Sequence, residues 1–268
     1  MIKLVKKIVF SENENMMRSI GDTKIALNLY NSKKSKNLHY LLKQRFNWMN
    51  NFINDNDVGI EVGSGIGFSK DYIKNKNFKT TDLSVDEHLD IKNIDAQDTN
   101  FKDESFDYII ASNMVHHVPY PINFFREMNR ILKKNGKLII FDAHCSVLLQ
   151  LILILMRHEG YDFTKDVWNK EIPATHADDL WAGNSAIPYL IFNDKKKFNE
   201  KLGNLFEIKY DKLCECLLFL NSGGVTSKTF YIPFNYFFLK IVKCIDKILS
   251  FLLPNIFSLG RKIVLTKK

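Results

Sequence analysis

The sequence predicts an α/β fold built on a doubly wound, mostly parallel sheet, and three observations predict it. Along residues 39–145, short apolar runs of strand type alternate with amphipathic stretches, the rhythm of strand–helix–strand units. The chain has only 12 glycines in 268 residues, yet four fall between Gly59 and Gly67, just after one acid. The runs also end in polar residues: Glu61, Asp82, Asp95, Ser112, Asn113, Asp142 and His144. In such a sheet these ends lie on one rim, where ligands bind.

The elements follow in order. Residues 39–53 put Leu41, Leu42, Phe46, Met49 and Ile53 at helical spacing. The polar break NDND separates them from a short strand at 58–62, and a helix over 68–74 opens out of the glycines. Strands are expected at 78–84 and 89–95, each ending in or near an acid. Residues 106–113 are almost continuously apolar, as a strand buried on both faces should be. An amphipathic helix over 122–136 carries Phe125, Met128, Ile131 and Leu132 on one side and stops at Gly136, before a strand at 137–144. Two further strands are expected at 206–210 and 261–268, with insertions of about 60 and 50 residues before them.

Composition narrows the function. A hydrophobic content of 46%, with 21 Phe and 10 Tyr, excludes a disordered chain. The net charge of +8 comes from lysines spread along the chain, and is read as a solvated surface or an anionic partner. No RNA-recognition signature, zinc pattern or basic arm points to nucleic acid. Cys145, Cys214, Cys216 and Cys244 form no disulfide framework and are expected as reduced thiols of a cytoplasmic protein. The first ten residues, MIKLVKKIVF, are broken by two lysines and lack a signal-peptide core. The apolar run 147–156 is too short to span a membrane, which takes about 20 residues.

The glycines call for a sharp strand-to-helix corner, since glycine reaches positive φ and lets a ligand approach the backbone. Their spacing, Gly63, Gly65, Gly67, is neither the dinucleotide fingerprint nor a Walker A loop. EVGSGIG resembles the first motif of class I S-adenosylmethionine-dependent methyltransferases. TTDLS, DAQDTNFKDESFDYIIASNMVHHV and REMNRILKKNGKLIIFD are similar to that family's later motifs, in the same order. Asn135 and Lys137 depart from its usual Leu-Lys-Pro-Gly-Gly turn.

The resemblance implies a Rossmann-like sheet of seven strands with the last antiparallel, and helical insertions after strands five and six. It divides the chain into an N-terminal extension (1–38), an S-adenosylmethionine-binding core (39–145) and substrate-cap insertions carrying the last two strands (146–268). Glu61 would orient the loop and meet the cofactor's ammonium. The backbone at Gly63, Ser64, Gly65 and Gly67 would lie along the methionyl part. Asp82 would accept both ribose hydroxyls, Leu83 would pack on the adenine face, and Asp95 with Ala96 would face the adenine edge. Ser112 and Asn113 end the next strand on the same rim.

Transfer to a hydroxyl needs a base, and histidine is the commonest one near neutral pH. His116, His117 and His144 are the candidates, with His176 a fourth; His39, His88 and His158 are read as packing or surface residues. VHHV lacks the third ligand and the spacing of a zinc site, so no metal is expected. The C-terminal segments AGNSAIPYLIF, SGG and IVLTKK resemble methyltransferases of bacterial surface-polysaccharide gene clusters, which implies a sugar or lipid-linked glycan acceptor. A lipid or quinone acceptor, or a non-catalytic cofactor-binding protein, are the alternatives. Residues 236–257 form a cationic amphipathic stretch, with Lys240, Lys243 and Lys247 on one face. It suits a packed lid, a homodimer contact or a peripheral membrane contact. A monomer or homodimer acting on a small-molecule or glycan acceptor is the resulting expectation.

Overall fold

The computed structural model describes residues 3–9, 23–32, 35–157, 159–179, 182–224 and 229–268. Its strands are β1 (Lys7–Ile8), β2 (Gly59–Val62), β3 (Phe78–Thr80), β4 (Phe106–Ser112), β5 (Leu132–Ala143), β6 (Tyr161–Asp162), β7 (Phe206–Cys214) and β8 (Gly260–Lys267). Six form one sheet in the order β3-β2-β4-β5-β8-β7, while β1 pairs with β6 alone. β2 is parallel to β3 and β4, and β4 to β5, whereas β8 runs antiparallel to both its neighbours.

The apolar run of β4 is buried on both sides because successive residues serve opposite cores. Ile109 and Ala111, with Leu138 and Ile140 of β5, face a cluster built on Phe124, Phe125 and Met128 of the helix Pro121–Ile131. Tyr108 and Ile110, with Ile139 and Phe141, face Leu38, Leu42 and Phe46 of the helix Lys36–Phe46. Two-residue alternation thus gives one sheet two helical layers.

Among the described residues the sheet has six strands, not the expected seven. Residues 89–95 contribute only an isolated bridge between Ile91 and Thr81. Asn93 adopts φ 57°, which breaks the extended run, and the Asp90 carboxylate takes the Thr80 N–H that a ladder would use. The expected helix over 68–74 is only a 3-10 turn, Phe68–Asp71. The Asn50 amide binds the Tyr72 carbonyl and the Lys74 N–H, so the helix cannot continue. The helix expected to reach Gly136 ends at Ile131, because Glu104 and Ser105 donate to the carbonyls of Arg130 and Ile131 and draw the chain into pairing with β4.

The insertion between β5 and β7 holds the helices Val147–Met156, Ile187–Phe192 and Lys195–Leu202. The one between β7 and β8 holds Leu217–Leu220, Tyr236–Leu252 and Pro254–Phe257. His158, Leu180, Trp181 and 225–228, all within stretches singled out in the sequence, lie outside the described residues, as do 10–22 of the N-terminal extension.

Candidate active site

The corner after β2 is built from backbone. Gly63, Gly65 and Gly67 have φ of 63°, 52° and 73°, so every second residue is left-handed. A side chain at Gly63 would put its Cβ 2.8 Å from that of Met114, while Gly65 faces open space. Ser64 ties the corner to the end of β3, donating its N–H to the Thr81 carbonyl at 3.0 Å and accepting the Thr81 N–H on its hydroxyl at 3.1 Å. One Asp82 oxygen accepts the Gly65 N–H at 2.8 Å and the other accepts the Ser84 N–H at 2.9 Å. His88, read from sequence as a packing or surface residue, donates from Nε2 to the Gly65 carbonyl at 2.7 Å. A carboxylate and an imidazole from the segment after β3 therefore hold both polar groups of Gly65.

A cleft of about 510 Å³ opens over this corner, within the range of sites for ligands of nucleotide size. Glu61, Gly63, Ser64 and Gly65 line it from the β2 side, and Asp82 and Leu83 from the end of β3. Asp95 and Ala96, then Ser112 and Asn113 at the end of β4, complete that wall. His116, His117 and His176 line it further on.

Two predicted residues do not line it. Gly67 instead begins the 3-10 turn as its left-handed cap. His144 is fully buried: its N–H pairs with the Leu259 carbonyl, continuing the β5–β8 pairing past Ala143, and its ring lies against Tyr189. Burial, with the Arg261 charge, pulls its imidazole down to about 4. It is a neutral core residue, not a base at the rim.

Glu61 is buried behind the glycines and accepts from the Ser69 hydroxyl. Burial pushes its carboxyl up to about 8, against the lowering effect of the Ser69 and Ser64 hydroxyls. An ammonium group in the cleft would reverse that balance, because an adjacent cation favours the carboxylate.

His116 has acids on both ring nitrogens: Nδ1 is 2.5 Å from Asp142 and Nε2 is 2.9 Å from Glu159. Burial pulls its proton affinity down, but the two carboxylates more than offset this and hold it well above the ordinary histidine range. An imidazolium held in this way is a poor base. His117, next to it, reaches Glu159 through Nε2 at 3.4 Å and the Ala182 carbonyl through Nδ1 at 3.3 Å. Of His116, His117 and His144, only His117 combines access to the cleft with freedom from a flanking pair of acids, and His176, the fourth candidate, also lines the cleft.

Sequence reasoning missed Glu159, which lies in the insertion with no motif around it. It also missed Arg45, whose guanidinium donates from Nε and Nη2 to Glu215 at 2.9 and 2.5 Å and lies near the rings of Phe141 and Phe219. This pair joins the helix Lys36–Phe46 to the end of β7 along the cleft wall. The rest of that wall is apolar: Leu149, Ile152, Leu153 and Met156 of the helix Val147–Met156.

Residues 60–140 match the family described as methyltransferase domain. The phosphatidylethanolamine N-methyltransferase of Cereibacter sphaeroides is 30% identical over 79 residues, 30% of this chain and 39% of that protein. The ubiquinone/menaquinone biosynthesis C-methyltransferase UbiE of Rickettsia felis is 23% identical over 159 residues, 51% of this chain and 64% of that protein. The chain thus spans less than two thirds of each relative. A solved SAM-dependent methyltransferase of Thermotoga maritima, a possible histamine N-methyltransferase, has 15% identity and a TM-score of 0.47 over 94% of this chain and 100% of its own.

The matched segment runs from β2 into β5 and carries the glycine corner and Asp82. It is similar to a methyltransferase domain, on the parallel strand order expected of the S-adenosylmethionine-dependent class. The family match stops at residue 140, so the likeness of the C-terminal third to surface-polysaccharide enzymes gains nothing from it.

Proposed function

We propose that the chain is an S-adenosylmethionine-dependent methyltransferase whose acceptor has a polar reacting end and an apolar body. The observation that carries this reading is the single cleft shared by the glycine corner, the His116–His117–Glu159 group and the apolar wall of Val147–Met156. The cofactor would lie across the corner, its ammonium at Glu61 and its ribose at Asp82. Holding acceptor and methyl at attack distance is then most of the catalysis, and a small polar acceptor alone would leave the apolar wall unused. Relatives named for a phospholipid and for prenylated quinones support the same acceptor type. A lipid-linked sugar also fits it, and would reconcile the apolar wall with the glycan acceptor expected from the C-terminal segments.

The outer surface supports a membrane-side location. The helix Tyr236–Leu252 leaves Phe237 67% and Phe251 83% exposed, beside the exposed Lys240 and Lys247. Among the described residues no helix is long and apolar enough to cross a membrane, so the contact would be peripheral.

The test is incubation with labelled methyl donor and four acceptors: phosphatidylethanolamine, a demethylated prenyl quinone, a lipid-linked sugar and a nucleotide sugar. Label is expected in at least one of the first three and not in the last. Label in the nucleotide sugar alone overturns the acceptor class. Calorimetry giving no heat with either S-adenosylmethionine or S-adenosylhomocysteine overturns the enzyme reading.

A further inference from the structure

The geometry points to a binding site for a divalent transition-metal ion, zinc or a first-row neighbour, formed by His116, His117 and Glu159. Their ligand atoms all lie within 4.8 Å of one another. A metal about 2.0–2.2 Å from imidazole nitrogen and carboxylate oxygen, at tetrahedral or octahedral angles, separates its donors by roughly 3.0–3.5 Å. Glu159 stands 2.9 Å from Nε2 of His116 and 3.4 Å from Nε2 of His117. The two contacts use different oxygens of the Glu159 carboxylate, one for each imidazole, and an ion would draw the three donor groups from within 4.8 Å to that spacing.

The surroundings fit the same reading. A ligating histidine usually gives its other ring N–H to a carboxylate or a backbone carbonyl, which fixes the tautomer and aims the free nitrogen at the metal. Both histidines have such a partner at Nδ1, Asp142 at 2.5 Å for His116 and the Ala182 carbonyl at 3.3 Å for His117, and an ion would take the place of the proton that His116 otherwise holds between Nε2 and Glu159. Asp142 is itself fixed, accepting the N–H groups of Val115 and Ala143. Glu159 packs closely over Gly183, where any side chain would put its Cβ 2.9 Å from the carboxyl group.

Two histidines and one carboxylate leave coordination positions open, and all three residues line the cleft. The sequence expectation of no metal rested on the missing third ligand of VHHV; Glu159, from the insertion after β5, supplies it.

The use of such an ion rests on the proposed methyltransferase reading. An acceptor hydroxyl bound at an open position would lose its proton to water. Its oxygen would then attack the methyl carbon, the carbon–sulfur bond would break with both electrons going to sulfur, and the sulfonium would become a neutral thioether. The site itself does not depend on that use.

The test is titration of the untagged full chain with Zn²⁺, read by calorimetry, and with Co²⁺, read by visible absorption, each with and without S-adenosylhomocysteine. One equivalent is expected to bind, with Glu159→Gln and His117→Ala each weakening it at least ~10-fold while their melting curves stay like the parent's. No saturable binding, or equal binding in both variants, overturns the site. Cofactor heat without metal heat sinks the metal alone. Metal heat without cofactor heat leaves the metal site standing and sinks the methyltransferase reading.

Discussion

The two sides of the cleft are held by different kinds of structure. On the cofactor side, backbone does the work: three left-handed glycines, with Asp82 and His88 binding the N–H and the carbonyl of Gly65. On the proposed acceptor side, side chains from distant segments do it: Arg45 with Glu215, and His116 with Asp142 and Glu159. The first side is local in sequence and tolerates little change in backbone. The second is assembled by packing, and its parts can be exchanged as long as their charges stay matched.

The sharpest way to break the second side is to unmatch a charge. Arg45→Leu would leave Glu215 buried without its partner, since both side chains are only 8% exposed. The expected cost is about 3–5 kcal/mol of stability, the range for breaking one partner out of a buried ion pair. Urea unfolding measures it, and the double variant Arg45→Leu/Glu215→Leu is expected to recover most of the loss. If the single variant loses less than about 1 kcal/mol, as an exposed pair would, the clamp is not holding the two segments together.

On the cofactor side the corresponding change is Asp82→Ala. It removes the acceptor for the Gly65 N–H and, in the proposed complex, for the ribose hydroxyls. Hydrogen bonds to charged groups contribute about 1.5–3 kcal/mol, so S-adenosylhomocysteine should bind roughly 10–100-fold more weakly. Calorimetry measures this, and unchanged affinity would mean that the ribose is held elsewhere.

The same contrast explains what the sequence made legible. The glycine corner, Asp82, Asp95 and the β4–helix–β5 unit can be read from residues 59–144 because neighbours in sequence decide them: left-handed glycines, two-residue alternation and a helix stop. His144 was misread for a related reason. A strand's end marks a rim position only when pairing stops there, and here β8 carries the pairing past it. The missing strand at 89–95 turned on one left-handed asparagine, Asn93, which no hydrophobic pattern reveals. Glu159, Arg45 and Glu215 carry no local signal, since each is defined by a partner far away in the chain.

A smaller effect concerns protons. Burial raises Glu61 to about 8 from the ordinary 4.5. The folded chain therefore keeps a proton that the unfolded chain releases above 4.5, and this stabilising contribution, full at low pH, is lost as pH rises through about 8. A cofactor ammonium beside Glu61 favours the carboxylate, so binding at pH 7 is expected to release about one proton. Affinity should climb between pH 6 and 8. Calorimetry in two buffers of different ionisation heat measures the release, and Glu61→Gln should abolish it. Binding without proton release would place the ammonium away from Glu61.

The smallest effect on the fold is expected from the outer face, and it separates the two sides most cleanly. Phe237 and Phe251 contribute little packing to the protein, so Phe237→Ser/Phe251→Ser should change stability by no more than about 0.5 kcal/mol per site. Cofactor affinity should not move, because neither residue lines the cleft. What should change is flotation with anionic vesicles, since exposed aromatics beside Lys240 and Lys247 match an interfacial helix, whose binding scales with buried apolar area and charge. A parent protein that stays at the bottom of the gradient removes the membrane contact. If the parent instead sediments as a dimer and the variant as a monomer, the face belongs to a second copy of the chain. The apolar wall of the cleft would then have to receive its acceptor without a bilayer beside it.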